Sequence, residues 1–358
     1  MPSRDELDAA VAAGVIGRAE ADRLADFLAQ REARAAQPED AEAIRFIRGF
    51  HDIFLTIGIV LLLTGVAYTF GLFAGTFAFA AVAAVALALA FYFTQRRRLT
   101  LPSIALSLGF AISLGYLAGT FALALLETAA PELFAGVPTD RVNGYAGLCV
   151  AAAIALASSG YYRYFRLPFT LGQTAVAVAA TAWFLLHALL PEAATAWRAP
   201  LFLALGLGTF ALAMSYDLRD PVRQTRLADV AFWLHLAAAP MIVNSAMGFV
   251  WTTDQAGLTL GDAVNTIILI AALAVVALII DRRAILVAGL IYFGVALSVI
   301  INRTGMDEAA VTALTVLGLG AALLLLGVGW RRTRHAVVSQ LVPAALARRL
   351  PTAEPEHA

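Results

Sequence analysis

The chain has 358 residues, of which 61% are hydrophobic and only 14% are charged, and its 25 basic and 25 acidic residues give a net charge of zero. The mean hydropathy of +0.81 is far above that of soluble domains, and the balanced charge gives no reason to expect a nucleic-acid partner. Because all 25 basic residues are arginine, chemistries that need a lysine amine are excluded, among them a P-loop and a Schiff base to pyridoxal phosphate.

Residues 1–37 predict a small helical hairpin at the start of the chain. A short first helix ends at Gly14, and a second helix from about 18 to 35 carries a narrow apolar stripe that includes Phe27. So small a unit buries little area, and we expect it to depend on the membrane domain, a protein partner or another copy of itself. The segment lacks the basic start and apolar core of a cleaved signal, so we expect it to stay attached. Residues 38–52 are interpreted as an acidic linker that leads, in part as a helix, into the membrane.

The region from 53 to 330 consists of long apolar stretches separated by charges and turn residues. A helix that crosses the hydrocarbon core needs about 20 apolar residues, and about ten stretches satisfy this length. The sequence therefore predicts an all-α fold, a polytopic transmembrane helix bundle in contact with the lipid bilayer. The predicted crossings are 53–70, 75–94, 101–123, 144–162, 169–190, 199–216, 230–250, 263–280, 284–302 and 311–330.

Arginine placement predicts how the bundle is oriented. Alternate connections are rich in arginine, and we call the side on which they lie the arginine-rich side. The opposite connections contain only Arg141, Arg198 and Arg303. Short cytoplasmic loops carry an excess of positive charge, so both termini are expected in the cytoplasm. On the arginine-rich side lie Arg45, Arg48, Arg96, Arg97, Arg98, Arg163, Arg166, Arg219, Arg223, Arg226, Arg282, Arg283, Arg331, Arg332 and Arg334.

Turns on the arginine-rich side resemble one another. Aromatic residues followed by arginine, leucine and proline occur around Arg98 and again around Arg166, and Asp281 begins the equivalent turn later in the chain. The pattern indicates a weak repeat of helix pairs. A two-helix unit preserves the topology, so these repeats would be parallel, whereas many transporters have inverted repeats.

The C-terminal segment 331–358 is predicted to be a cytoplasmic tail. Apolar residues such as Leu341 recur at helical spacing beside Arg348 and Arg349, which favours an interfacial helix held by anionic lipid. A solvated tail is the alternative interpretation. Residues after Pro351 have the composition of a disordered segment.

Polar residues inside a membrane are costly and are the first candidates for a functional site. His235 lies in the seventh predicted crossing, with Asp229 before it and Asn244 beyond it. The functional interpretation is a protonatable site, as in a proton-coupled carrier. The alternative is a histidine near the cytoplasmic side that bonds to a neighbouring carbonyl or side chain.

A second candidate pair lies in the fifth predicted crossing. Gln173 and His187 are 14 residues apart, close to four helical turns, and share a face with Ala177 and Ala180. This face is suited to lining a cavity. Small residues on one helix face also suit close helix packing, which is the alternative.

The chain carries no recognisable catalytic, cofactor or metal-binding motif. His-Glu-x-x-His, Gly-x-Ser-x-Gly and Gly-x-Gly-x-x-Gly are all missing. The single cysteine, Cys149, lies in an apolar stretch and cannot form a disulfide or a thiolate metal site within one chain. We therefore predict no enzyme activity, no cofactor and no metal.

Short sequence motifs resemble a known family. The N-terminal segment contains Leu7, Val11, Gly14, Val15, Ile16, Glu20, Ala21 and Leu24. These residues, followed by many crossings with arginine-rich turns, resemble a bacterial family of predicted multi-pass membrane proteins of unknown function that have an N-terminal cytoplasmic helical hairpin. The stretch from Ala231 to Leu236 and the later Pro240 is also similar to uncharacterised proteobacterial relatives. The resemblance implies a fold and a location in the bacterial inner membrane, but no reaction.

Two functions from different classes fit these patterns. The first is a carrier for a small molecule or lipid, which predicts a hydrated path between helices. The second is a scaffold or regulator that does not transport and acts through residues 1–37, which predicts a dry bundle and a cytoplasmic partner. The sequence leaves open whether the chain forms a homo-oligomer.

Overall fold

The computed structural model describes residues 4–35, 38–129, 139–220, 225–251 and 258–342, which are almost entirely helical and contain no strand. The predicted all-α fold is therefore confirmed. The helices are α1 (Arg4–Ala12), α2 (Arg18–Ala35), α3 (Pro38–Ala74), α4 (Ala78–Ala90), α5 (Thr100–Ala129), α6 (Thr139–Phe165), α7 (Phe169–Leu189), α8 (Pro191–Asp217), α9 (Arg226–Val250), α10 (Leu260–Ile280), α11 (Ala284–Asn302) and α12 (Glu308–Leu341).

Nine stretches of the described chain are long and apolar enough to cross a membrane. The first of them, His51–Arg96, has 46 residues and contains most of α3 and all of α4. A short 3-10 turn, Gly75–Phe77, divides it where the sequence predicts a tight connection, and Gly75 has a φ of +54°. Counted as two crossings, this stretch gives a bundle of about ten spans in an integral membrane protein.

Helix α9 is the centre of the bundle. In its most apolar window 67% of the residues are buried, compared with at most 28% in any other candidate span. Helix α9 packs against α7, α8 and α11. The other spans expose many large apolar side chains, such as those of Ile291 and Leu325, as expected for helices in lipid. The side chains of α9 therefore lie where a site shielded from lipid would form.

Glycines allow several helices to approach closely. A Cβ atom at Gly115 or Gly119 of α5 would come within 2.6 Å and 2.5 Å of side chains on α6. At Gly172 of α7 it would lie 2.7 Å from the backbone oxygen of Trp233 in α9. Close backbone contact of this kind replaces the hydrophobic driving force that helices lack in lipid.

The helical structure extends beyond the predicted crossings at both ends of the described chain. Helices α1 and α2 pack together through Leu7 and Ala21, whereas Val15 and Phe27 are 74% and 60% exposed. Helix α3 begins at Pro38, so the segment predicted as a linker is helical and continuous with the first crossing. Helix α12 runs past position 330 to Leu341, and the predicted disordered end of the tail lies outside the described residues.

Three turns on the arginine-rich side contain a left-handed residue. The φ angle is +55° at Arg98, between α4 and α5, and +55° at Arg166, between α6 and α7. It is +56° at Asp281, between α10 and α11. The turns that look alike in sequence therefore share a backbone conformation.

Candidate functional site

A buried ionic cluster joins three helices at the arginine-rich end of the bundle. Asp217 is the last residue of α8, His235 lies in the third turn of α9, and Arg282 follows α10 in the turn to α11. Asp217 and His235 are each 1% exposed and Arg282 is 9% exposed. Two charged groups and a histidine are thus removed from both water and lipid.

The three side chains satisfy most of one another's hydrogen-bonding groups. Oδ2 of Asp217 lies 2.9 Å from Nε2 of His235 and 3.1 Å from Nε of Arg282. Oδ1 of Asp217 accepts a second hydrogen bond from Nη2 of Arg282. Since an ionised carboxylate only accepts, the His235 tautomer with its proton on Nε2 is the one that bonds to it. Phe210 covers the imidazole edge-on, with ring centroids 5.2 Å apart.

Charge balance explains how this cluster is tolerated at the membrane edge. The guanidinium of Arg282 neutralises the carboxylate of Asp217, and its fork matches the two carboxylate oxygens. A buried ion pair contributes little net stability, but removing one partner leaves an uncompensated charge and costs several kcal/mol. The cluster therefore fixes which ends of α8, α9 and α10 meet.

A second set of contacts ties α12 to the same end of the bundle. Nε1 of Trp330 donates to Oδ1 of Asp281 at 2.8 Å, and Nε of Arg334 lies 3.7 Å from the same oxygen. The guanidinium of Arg283 stands 4.9 Å from the centroid of the Trp330 ring. The turn between α10 and α11 is consequently held on one side by α8 and on the other by α12.

A cavity of about 470 Å³ lies between α7, α8 and α9, from the middle of the bundle towards the arginine-poor end. Its polar lining comes mainly from Arg198, Asn244 and Ser245. The first two of these side chains are exposed. Its walls are apolar and aromatic, with Trp183 and Phe202 among them. Arg198 forms no ion pair within the described residues. A mostly apolar cavity with an unpaired cation at one end suits an amphiphilic ligand that carries a negative charge.

One face of α7 runs along this cavity from end to end. Val176, Ala180 and Trp183 line it, and the same helical stripe continues to Gln173 on the arginine-rich side and to His187 on the other. The amide nitrogen and oxygen of Gln173 and Nδ1 of His187 are buried without a hydrogen-bond partner in the described part of the chain. His187 also stacks on Trp183, with ring centroids 6.0 Å apart. Unsatisfied polar groups thus lie at both ends of the cavity face.

The four polar residues singled out from the sequence occupy three places. His235 belongs to the ionic cluster, Asn244 lines the cavity, and Gln173 and His187 extend the cavity face of α7. His235 does not line the cavity. It precedes Asn244 by nine residues, or two and a half helical turns, and therefore faces the other way.

Sequence reasoning missed three residues of the cluster and the cavity, namely Asp217, Arg282 and Arg198. Asp229 was expected as the neighbour of His235, but Asp229 is exposed and Asp217 is the actual partner. Arg282 and Arg198 were interpreted only as loop charges. A carboxylate that directly follows an apolar span, as Asp217 does, was the available signal, because water at that depth is scarce and such a group needs a partner.

No group of His, Cys, Asp and Glu residues within the described ranges has the geometry of a metal site. No family model, curated protein or solved structure matches the chain. The resemblance to a bacterial multi-pass family stays a prediction. Function therefore has to be argued from the cluster and the cavity alone.

Proposed function

We propose that the protein is a membrane carrier for a lipid or another small amphiphile with an anionic group. The observation that carries this proposal is the cavity between α7, α8 and α9, with unsatisfied polar groups at both ends of its α7 face. Polar atoms buried without a partner are expensive. Gln173 and His187 gain partners when a polar ligand or water enters along this face.

The size and lining of the cavity support an amphiphile. Its volume of about 470 Å³ lies in the range of small-molecule sites, which hold a few polar groups in mostly apolar walls. Arg198 binds the anionic group near the arginine-poor end, and Asn244 and Ser245 supply further hydrogen bonds. Trp183 and Phe202 contact the apolar part of the ligand.

The ionic cluster acts as the closed gate of this carrier. Alternating access requires that one end of a binding site is shut while the other is open. The Asp217–His235–Arg282 cluster shuts the arginine-rich end by holding α8, α9 and the turn after α10 together. Opening there requires that the cluster separates, because it joins all three elements.

The arginine bias supports a location in the bacterial inner membrane with both termini in the cytoplasm. On this orientation the cavity of the present conformation opens away from the cytoplasm. The carrier then moves its ligand between the outer and the cytoplasmic leaflet.

The proposal is tested by lipid flipping in vesicles. Purified protein is reconstituted with a trace of phosphatidylglycerol that carries a fluorescent NBD label on its headgroup, and dithionite is added to quench the label in the outer leaflet. A carrier makes the inner-leaflet label accessible as well, and Arg198→Gln slows this second phase. Arg303→Gln is the matched control, since it removes a charge from the same side outside the cavity. A wild-type trace identical to that of empty vesicles contradicts flipping of this lipid.

The second candidate function is a scaffold that acts through the N-terminal hairpin. Val15, Leu24 and Phe27 of the hairpin are exposed, although Leu7 and Ala21 are buried between its helices. Exposed apolar side chains in a cytoplasmic segment favour a protein partner. Deletion of residues 1–37 separates the two functions, because the carrier model predicts that lipid flipping survives the deletion.

A further inference from the structure

A second pocket, of about 310 Å³, lies on the arginine-rich side, apart from the cavity between α7, α8 and α9. Three parts of the chain form it: the turn between α4 and α5, the turn between α6 and α7, and the first turn of α9. These parts are far apart in sequence. The pocket is therefore a product of the fold and not of one local motif.

The charges around this pocket are predominantly positive. Arg98, Arg166 and Arg226 line it, and Asp229 is the one carboxylate in its lining. None of the three arginines forms an ion pair with a carboxylate in the described ranges, and all three side chains are exposed. Three cations against one anion leave a net charge of +2 at the pocket.

Two of these arginines have a strained backbone conformation. Arg98 and Arg166 both have a φ of +55°, in the left-handed region that residues other than glycine rarely adopt. Asparagine or glycine would adopt it more easily. Strain at a sparsely populated backbone position is commonly kept where it serves function.

In the third left-handed turn, the left-handed residue Asp281 has a hydrogen-bond partner within the fold. There Asp281 accepts a hydrogen bond from Trp330 of α12, so its side chain has a structural role. Arg166 instead lies with its guanidinium 5.9 Å from the ring centroid of Tyr162, and Arg98 has no such internal acceptor in the described structure. The same backbone turn thus presents an anion bonded within the fold in one case, and in the other two arginines without a carboxylate partner in the described ranges.

Local helix geometry adds to the positive potential. Helices α5 and α7 begin at the pocket, and a helix N-terminus carries a partial positive charge. A π-helical segment, Phe91–Arg96, ends α4 there, and its Thr94 lines the pocket and lies 3.2 Å from the hydroxyl of Tyr161. Leu99 and Leu167 supply an apolar edge to the pocket.

We propose that this pocket binds the phosphate group of an anionic phospholipid from the leaflet on the arginine-rich side. Arginine binds phosphate oxygens bidentately, and Arg98, Arg166 and Arg226 surround the pocket from three parts of the fold. The apolar edge at Leu99 and Leu167 places the glycerol and acyl chains beside the bundle. A bound lipid would join the turns α4–α5 and α6–α7 to the start of α9, whether or not the cavity carries a substrate.

Native mass spectrometry of the full-length protein tests the site. The protein is released from detergent containing equal amounts of phosphatidylglycerol and phosphatidylcholine, and retained lipid is identified by mass. We expect one phosphatidylglycerol per chain. The variant Arg98→Asn/Arg166→Asn removes two cations and relieves the strained turns. Because each basic residue near a lipid surface contributes about a factor of five in affinity, retention should weaken by about 30-fold.

The thermal stability of the same variant distinguishes lipid binding from a merely structural role of the two arginines. Its thermal unfolding midpoint without lipid should equal or exceed that of the wild type, since asparagine suits a left-handed position. Arg96, Arg97 and Arg163 remain in these turns, so the orientation is preserved. Arg331→Gln/Arg332→Gln is the matched control, because it removes two exposed charges from the same side outside the pocket, and it should keep the lipid.

Three outcomes overturn the proposal. The first is equal retention of lipid by the wild type and Arg98→Asn/Arg166→Asn. The second is equal loss in the control, which would indicate a general surface charge effect. The third is that inorganic phosphate stabilises the wild type but not the variant while no lipid is retained, which would assign the pocket to a free phosphate.

Discussion

Asp217 and Arg282 lie 65 positions apart in the sequence and form a bidentate ion pair that is almost fully shielded from solvent. The pair connects the end of α8 to the turn after α10, and His235 of α9 bonds to the same carboxylate. The end of α8, the third turn of α9 and the turn after α10 thus meet at one carboxylate. On the carrier proposal this ion pair is both a structural lock and the gate, which would explain why charges occur at this depth.

Removal of the carboxylate should destabilise the protein strongly. Asp217→Asn leaves the guanidinium of Arg282 buried without its counter-charge, which costs about 3–5 kcal/mol. We expect the midpoint of thermal unfolding in detergent to fall by ~5 °C or more. Asp229→Asn, which changes an exposed carboxylate, should unfold like the wild type.

Removal of both partners should be milder than removal of one. In Asp217→Asn/Arg282→Met no buried charge is left unpaired, so part of the lost stability should return. A double variant whose loss of stability equals the sum of the losses in the two single variants would show that the pair is not coupled.

The double variant Asp217→Asn/Arg282→Met should also raise the rate of lipid flipping, since the proposed gate no longer holds.

A methyl group at Gly172 should disturb the contact between α7 and α9. Its Cβ would lie 2.7 Å from the backbone oxygen of Trp233, and a backbone atom cannot move aside without shifting a helix. Gly172→Ala should therefore destabilise the bundle by about 1–3 kcal/mol, as overpacking does. Gly160→Ala is the matched helical control, because nothing lies within 4 Å of its Cβ. Alanine there should be neutral or stabilising by up to about 1 kcal/mol.

The proposed orientation predicts which side of the membrane each loop occupies. In a Cys149→Ala background, Glu192→Cys on the arginine-poor side should react with a membrane-impermeant thiol reagent added to intact cells. Ser339→Cys, in α12 on the arginine-rich side, should react only after the cells are opened. Both positions are exposed, so the two thiols should differ in labelling only through the side of the membrane on which they lie. The reverse labelling pattern would refute cytoplasmic termini.

The helices could be predicted from sequence because lipid imposes a length and an apolar composition on every crossing. Even the break near Gly75 and the likeness of the turns at Arg98 and Arg166 followed from local residues. The partner of His235 did not, because Asp217 lies on a neighbouring helix and comes into contact only through the packing of α8 on α9. The nearest carboxylate in sequence, Asp229, lies on the same helix but faces the second pocket.

The sequence predicts the part of the cavity lining that comes from α7, but not the parts that come from α8 and α9. Helical spacing places Gln173 and His187 on one face of α7, and the structure puts a cavity along that face. That Arg198 of α8 and Asn244 of α9 complete it could not be derived, since the relative rotation of three helices depends on close contacts such as those at Gly172 and Gly206.

Water access to the α7 face tests the carrier model most directly. In the Cys149→Ala background, Ala180→Cys places a thiol in the cavity lining, and Val178→Cys places one on the exposed face of the same helix outside that lining. The model predicts that a charged, membrane-impermeant thiol reagent modifies Ala180→Cys in lipid vesicles, leaves Val178→Cys unmodified, and is slowed at Ala180→Cys by excess short-chain phosphatidylglycerol. Equal protection of both thiols from the reagent would show a dry bundle and contradict transport through this cavity.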